Sequence, residues 1–154
     1  SAGGTLAATI AHGTRHIKSN VAGQVLIYPA LGQVKNAGSY ITHANAPLLT
    51  YDDTVFYTDI RAGGADLSDD ATYLPLSDSD FSDLPPTVAI SAECDPLCDD
   101  AEVYCRAIQR AGGQAVWIKE AGLVHGYLRA RHMVGRAGES FSRIIDAISR
   151  FGAG

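Results

Sequence analysis

Apolar residues in this chain recur at helical spacing near both ends and form short unbroken runs between them. Leu6, Ile10, Gly13 and Ile17 fall on one stripe with alanines beside them, which predicts a helix over residues 1–18. Gly3 and Gly4 keep its start free of bulky side chains. Residues 25–28, a short apolar run closed by Pro29, read as a buried strand. Residues 87–91, which follow the helix-stopping pair Pro85-Pro86, read as a second strand, and residues 115–119 as a third. Residues 99–111 predict a helix with Val103, Ala107, Ile108 and Ala111 on its core face, ended by Gly112-Gly113. A last helix is expected over 134–151, burying Ala137, Phe141, Ile144, Ile148 and Phe151. Its outer face carries Glu139 and Arg143 at a favourable i,i+4 spacing.

The segment 31–84 follows neither period. It is rich in turn formers, tyrosines and aspartates. Residues 51–61 form a possible helix with Val55 and Phe56 inward, and the acidic, serine-rich stretch 66–83 reads as a solvated loop. That stretch lacks the aspartate spacing and turn glycine of a calcium loop. The remaining order of strands and helices implies an α/β fold with a mostly parallel sheet and flanking helices. Three parallel strands leave two open edges, and parallel sheets are normally buried on both faces, so further strands are expected from elsewhere.

A length of 154 residues fits one domain, and a net charge of −5 argues against a nucleic-acid partner, which needs a basic face. No apolar run is long enough to span a bilayer, and no segment reads as a signal peptide. The three cysteines, Cys94, Cys98 and Cys105, match no common zinc spacing and no complete disulfide framework. They read as reduced, partly buried thiols of a cytoplasmic protein, and no metal site is expected.

In open α/β sheets, reactive residues gather just past the C-terminal ends of the strands. Asp95 follows the second predicted strand and His125 the third. An aspartate there can hold the histidine tautomer and stabilise its protonated form, and the histidine then needs a hydroxyl or thiol to deprotonate. Ser1-Ala2-Gly3-Gly4, running straight into a helix, reads as the second half of a nucleophile elbow, with the Ala2 amide as one oxyanion donor at the helix N-terminus. The chain order Ser, Asp, His is that of α/β-hydrolases. His12 and His16 are one helical turn apart but have no third ligand and read as a solvated helix face; His43 and His132 show no partner pattern. Cys94 reads as a small buried side chain behind the site. Tyr51, Phe56, Tyr57 and Tyr127 are aromatic candidates for lining an acyl pocket.

With these residues in place, the whole chain resembles the C-terminal portion of the hormone-sensitive-lipase-like esterases. The family's Gly-Asp-Ser-Ala-Gly-Gly elbow is matched over its last four positions by Ser1-Ala2-Gly3-Gly4. Its Asp-Pro-Leu-x-Asp motif is Asp95-Pro96-Leu97-Cys98-Asp99, and its His-Gly-Phe or His-Gly-Tyr motif is His125-Gly126-Tyr127. Leu26-Ile27-Tyr28-Pro29 and Pro85-Pro86 also resemble the family, whereas Leu74-Pro75-Leu76 stands where Ser-Pro-Leu is more usual. The resemblance implies that residues 1–154 are the C-terminal part of one α/β-hydrolase domain, with 31–84 as a loop or cap-like insertion. It implies a carboxylic ester hydrolase acting on small esters of short or medium acyl chain through Ser1, His125 and Asp95, without a cofactor. The family's His-Gly-Gly-Gly oxyanion loop and first strands are absent from this sequence. A companion N-terminal half, docked through the sheet after cleavage between the elbow's aspartate and serine, is the expected partner. Such cleavage would give Ser1 a free amine. An amidase or self-processed N-terminal-serine hydrolase, and a non-catalytic hydrolase-fold binding module, are the rival expectations.

Overall fold

The computed structural model describes residues 1–17, 21–32 and 36–153. Lys18, at the end of the first predicted helix, residues 33–35 of the 31–84 segment, and residue 154 lie outside the described residues. Three strands, β1 (Gln24–Ile27), β2 (Thr87–Cys94) and β3 (Ala115–Val124), form one parallel sheet in that order. Among the described residues five α-helices accompany it: α1 (Ala2–Thr14), α2 (Ser39–Thr42), α3 (Tyr51–Ala62), α4 (Cys98–Arg110) and α5 (Gly135–Gly152).

Alternation along the strands divides the core. Leu26 and Ala89 meet α1 and α4 through Ala8, Ala11, Ala101, Tyr104, Cys105 and Ile108. On another side of the sheet Ala92 and Leu123 meet Tyr127 and Ala137, the latter on α5. The ring of Phe151 lies where a side chain on Gly23 would be, which seats the end of α5 beside the start of β1.

The helices are where the expected faces shift. On α1, Ala8 and Ala11 turn inward with Thr5, Thr9 and His12, because small side chains let the helix approach the sheet closely. Leu6, Ile10 and Ile17 of the predicted stripe are 57%, 60% and 64% exposed. On α4 the buried face is Ala101, Tyr104, Cys105 and Ile108, rotated from the expected one; Val103 and Ala107 are half-buried and Ala111 is exposed. On α5, Ala137 and Ile144 are buried as expected, but Ser140 and Ala147 complete the face, Phe141 and Phe151 are half-buried and Ile148 is exposed. Arg143 does not stay with Glu139 on the outer face. It grips the buried Glu120 of β3 with two hydrogen bonds, of 3.0 and 2.6 Å.

The 31–84 segment contains more order than its composition suggests. Thr50 and Asp53 form a reciprocal capping box at the start of α3, which explains where that helix begins. Its inward residue is Thr54; Val55 is half-buried and Phe56 is exposed. Two acids at the N-terminus of α4 hold the segment to the sheet. Asp100 accepts from the amides of Leu31 and Gly32 at 2.6 and 3.2 Å, and Asp99 accepts from the amide of Ser39 at 2.8 Å. Asp66 and Asp70 lie in solvated turns closed by their own side chains. Asp78, by contrast, is drawn in by Arg15 and by His12, which is buried rather than solvated; His16 is exposed.

Candidate active site

The register of β2 and β3 places the site. Ala92 faces Glu120, and Cys94 faces Val124, with an irregularity between. The next residue on each strand is therefore Asp95 or His125, side by side at the C-terminal edge of the sheet. Gly126 follows with a φ of 72°, a left-handed conformation that glycine adopts without strain, and turns the chain away behind the imidazole.

Asp95 is fully buried. Its Oδ1 accepts from the Leu97 amide at 2.9 Å, a local turn that steers the chain into α4, and its Oδ2 lies 2.6 Å from His125 Nδ1. The local role and the contact with histidine thus use different oxygens. A carboxylate can only accept, so Nδ1 carries the proton and Nε2 is left as an acceptor. Nε2 lies 3.0 Å from Ser1 Oγ. The three residues form one continuous hydrogen-bond chain, the arrangement in which an imidazole can take a hydroxyl proton and keep its charge compensated.

Ser1 precedes the first turn of α1. Its carbonyl accepts from the Thr5 amide at 3.0 Å and its nitrogen lies 2.5 Å from the Ile27 carbonyl, so it is held between the helix and the end of β1. Gly4 faces β1: a Cβ there would stand 3.3 Å from Ile27 N and from the Pro29 side chain. The Ala2 amide is at the helix N-terminus, where N–H groups have no intrahelical acceptor.

Ser1 and Ala2 open into a cavity of about 380 Å³ walled by Leu49, Leu74 and Leu97 and edged by Tyr57 and Arg61. Of the aromatic candidates, Tyr57 lines it; Tyr51, Phe56 and Tyr127 do not. Tyr51 packs beside Tyr40, Leu49 and Leu97, and Phe56 is exposed. Tyr127 is buried behind His125, its hydroxyl 2.6 Å from Ser140 Oγ, and burial pushes its phenol up to about 12. Among the described residues no group of three or more His, Cys, Asp or Glu side chains is placed to hold a metal ion.

A family profile described as the α/β-hydrolase fold matches residues 1–129. The chain belongs to the α/β-hydrolase fold family. Its sequence is similar to carboxylesterase NlhH of Mycobacterium tuberculosis, 32% identical over 97% of this chain and 48% of that protein. It is also similar to ethyl acetate hydrolase of Pseudomonas putida, 28% identical over 97% of this chain and 48% of that protein. Among solved structures, DphMB1 superposes with a TM-score of 0.92 at 30% identity, covering 97% of this chain and 50% of that one. A hyperthermophilic esterase from the archaeon Pyrobaculum calidifontis gives a TM-score of 0.86 at 30% identity, covering 100% of this chain and 52% of that one. This α/β-hydrolase chain therefore spans about half the length of the relatives it matches.

Two supporting residues of this α/β-hydrolase were not singled out from its sequence. Tyr28, with a φ of 35° at the end of β1, places its ring 4.7 Å from the His125 imidazole and edge-on to Tyr127. Thr5 links α1 to the segment after β1: its hydroxyl donates to the Ala30 carbonyl at 2.8 Å and accepts from the Ala30 amide at 3.2 Å. The available signal for Tyr28 was its position at a strand's C-terminal end; for Thr5 there was none, since its partner lies across the fold. No helix of the described residues is long and apolar enough to cross a membrane.

Proposed function

We propose that this chain carries the reacting groups of a serine carboxylic ester hydrolase of the hormone-sensitive-lipase-like type. The observation that carries this reading is the unbroken relay from Asp95 through His125 to Ser1, at 2.6 and 3.0 Å. His125 Nε2 takes the proton as Ser1 Oγ attacks the ester carbonyl, and Asp95 compensates the charge that forms on the imidazole. The alcohol leaves with that proton. Water, deprotonated by the same imidazole, then releases the acid from the acyl-enzyme.

The Ala2 amide supplies one donor to the oxyanion. The other donors come from an N-terminal half of the same hydrolase that also covers the open edge of β1, the exposed Leu6 and Ile10 of α1, and Ile17 beyond its end. Support for that half is the uncovered apolar surface and the double length of the relatives. A cavity of about 380 Å³ suits short or medium acyl chains.

The test is hydrolysis of 4-nitrophenyl acetate, butyrate and octanoate by the complete hydrolase that carries this chain, beside its Ser1→Ala variant. Turnover of the shorter esters that disappears in the variant is expected. Equal turnover by both proteins would remove Ser1 from the mechanism.

A further inference from the structure

Arg61 is the only charged side chain among the described residues that line the cavity beside Ser1. It is held from two directions. Its guanidinium lies over the Tyr73 ring, 3.8 Å from the ring centre, and Nη2 donates to the Tyr73 carbonyl. Tyr73 is buried, and its hydroxyl donates to the carbonyl of Thr58, one turn before Arg61 on α3. The ring is thereby tied to the helix that carries the cation, and the guanidinium has little freedom left to lose on binding.

The charge is not neutralised within the described residues. Arg61 enters none of their ion pairs, although the chain is acidic overall with a net charge of −5. Its Nε and Nη1 donate to no protein group among the described residues, so of the five guanidinium N–H groups one is engaged there, by the Tyr73 carbonyl. Arg61 stands at the exposed rim of the cavity, with Leu49, Leu74 and Leu97 on its inner walls. A planar, preorganised, unpaired guanidinium at the edge of an apolar cavity matches the geometry of a carboxylate.

We propose that Arg61 selects esters that bear a carboxylate, pairing with that anion while Ser1 meets the ester carbonyl. The substrates are then half-esters of dicarboxylic acids or acylated hydroxy acids, in preference to wholly neutral esters. This rests on the ester-hydrolase reading above.

The experiment compares charged and neutral esters of matched shape on the complete hydrolase and on its Arg61→Gln and Arg61→Lys variants. Monoethyl glutarate is set against ethyl 5-methylhexanoate, and 3-acetoxypropionate against 3-methylbutyl acetate; the two pairs place the carboxylate on the acyl or the alcohol side. In one pair the anionic ester has the higher kcat/KM. The anionic-to-neutral ratio then falls about 10- to 100-fold in Arg61→Gln, as expected for hydrogen bonds to a charged group, and is partly kept in Arg61→Lys. Calorimetric binding of the same two anionic esters to Ser1→Ala, with and without Arg61→Gln, separates recognition from turnover. Arg61-dependent binding in a protein that hydrolyses none of the four esters keeps the anion site and discards the hydrolase reading. A ratio unmoved by Arg61→Gln in both pairs, with binding equally unmoved, overturns the proposal.

Discussion

Val124 stands opposite Cys94 although Glu120 stands opposite Ala92, so β3 advances four residues while β2 advances two. The excess is taken up around Gly122, whose φ of 69° is left-handed and whose amide donates to Glu93 Oε2 at 2.8 Å. An uninterrupted ladder would set Gly122 opposite Cys94, and Leu123 rather than His125 would follow beside Asp95. A β-bulge next to a site re-aims a side chain in this way.

Gly122→Val should therefore damage both stability and turnover. A β-branched residue at this φ costs about 1–3 kcal/mol of strain. Relief of that strain straightens the strand and draws His125 off Asp95. Thermal unfolding and kcat are the measurements. Gly122→Asn, which tolerates the left-handed region, should be milder in both. Wild-type values in Gly122→Val would show that the bulge does not set the spacing.

Asp95→Asn keeps an acceptor oxygen for the Leu97 amide but offers His125 an amide in place of a carboxylate. The wrong tautomer is then favoured, with Nε2 protonated and unable to accept from Ser1. A fall in kcat on the order of 10³ to 10⁴ is expected, with a far smaller change in folding. Parallel measurement of kcat and the thermal midpoint distinguishes this from simple unfolding.

His12 gives the fold a defined response to acid. Its Nδ1 lies 2.7 Å from Asp78 Oδ2 and its Nε2 3.1 Å from the Tyr104 hydroxyl. Burial pushes the imidazole below its ordinary 6.5, against the pull of Asp78. Burial also opposes ionisation of Asp78, but hydrogen bonds from Arg15, the Asp80 amide and His12 outweigh it and hold the carboxyl below its ordinary 3.8. For His12 the unfolded chain binds more protons than the native one once the pH falls below 6.5, so stability falls with pH from there. Asp78 adds its own loss only below 3.8, as the pH falls toward its depressed folded value. Urea midpoints should decline as the pH falls below 6.5, and His12→Gln should flatten that slope. An equal slope in the variant would assign the acid response to other groups.

The buried thiols should be inert. Burial raises Cys98 to about 11 and Cys105 to about 12, so the reactive thiolate is scarce at neutral pH. Iodoacetamide applied to the native protein, followed by peptide mass spectrometry, should leave both unmodified. Denaturant should expose both to alkylation. Rapid native labelling of Cys105 would mean that α4 does not pack on the sheet as described.

The strands and their parallel order are legible because they depend on short-range pattern. Short apolar runs, Pro29, Pro85-Pro86 and Gly112-Gly113 mark boundaries locally. Helix faces were less legible, because partners across the fold choose them. Tyr104 turns inward since its hydroxyl finds His12, and Ser140 since it finds the Tyr127 hydroxyl. Periodicity scores such residues as polar and misses them. Leu6 and Ile10 did mark a helix, yet they point away from the described core. From sequence His12 reads as solvated because its partner Asp78 lies far along the chain, in a loop whose acidity suggests exposure. Asp95 and His125 were placed at strand ends by sequence, but the bulge that aligns them was not foreseen. Gly122 alone does not announce a change of register.

Ser1 as the nucleophile is tested most directly by fluorophosphonate labelling of the complete hydrolase, with the adduct located by peptide mass spectrometry. The relay of Ser1, His125 and Asp95 predicts a single adduct on the peptide that contains Ser1-Ala2-Gly3-Gly4, sharply reduced in His125→Ala. An adduct on a different serine, or labelling of Ser1 that is indifferent to His125, would contradict it.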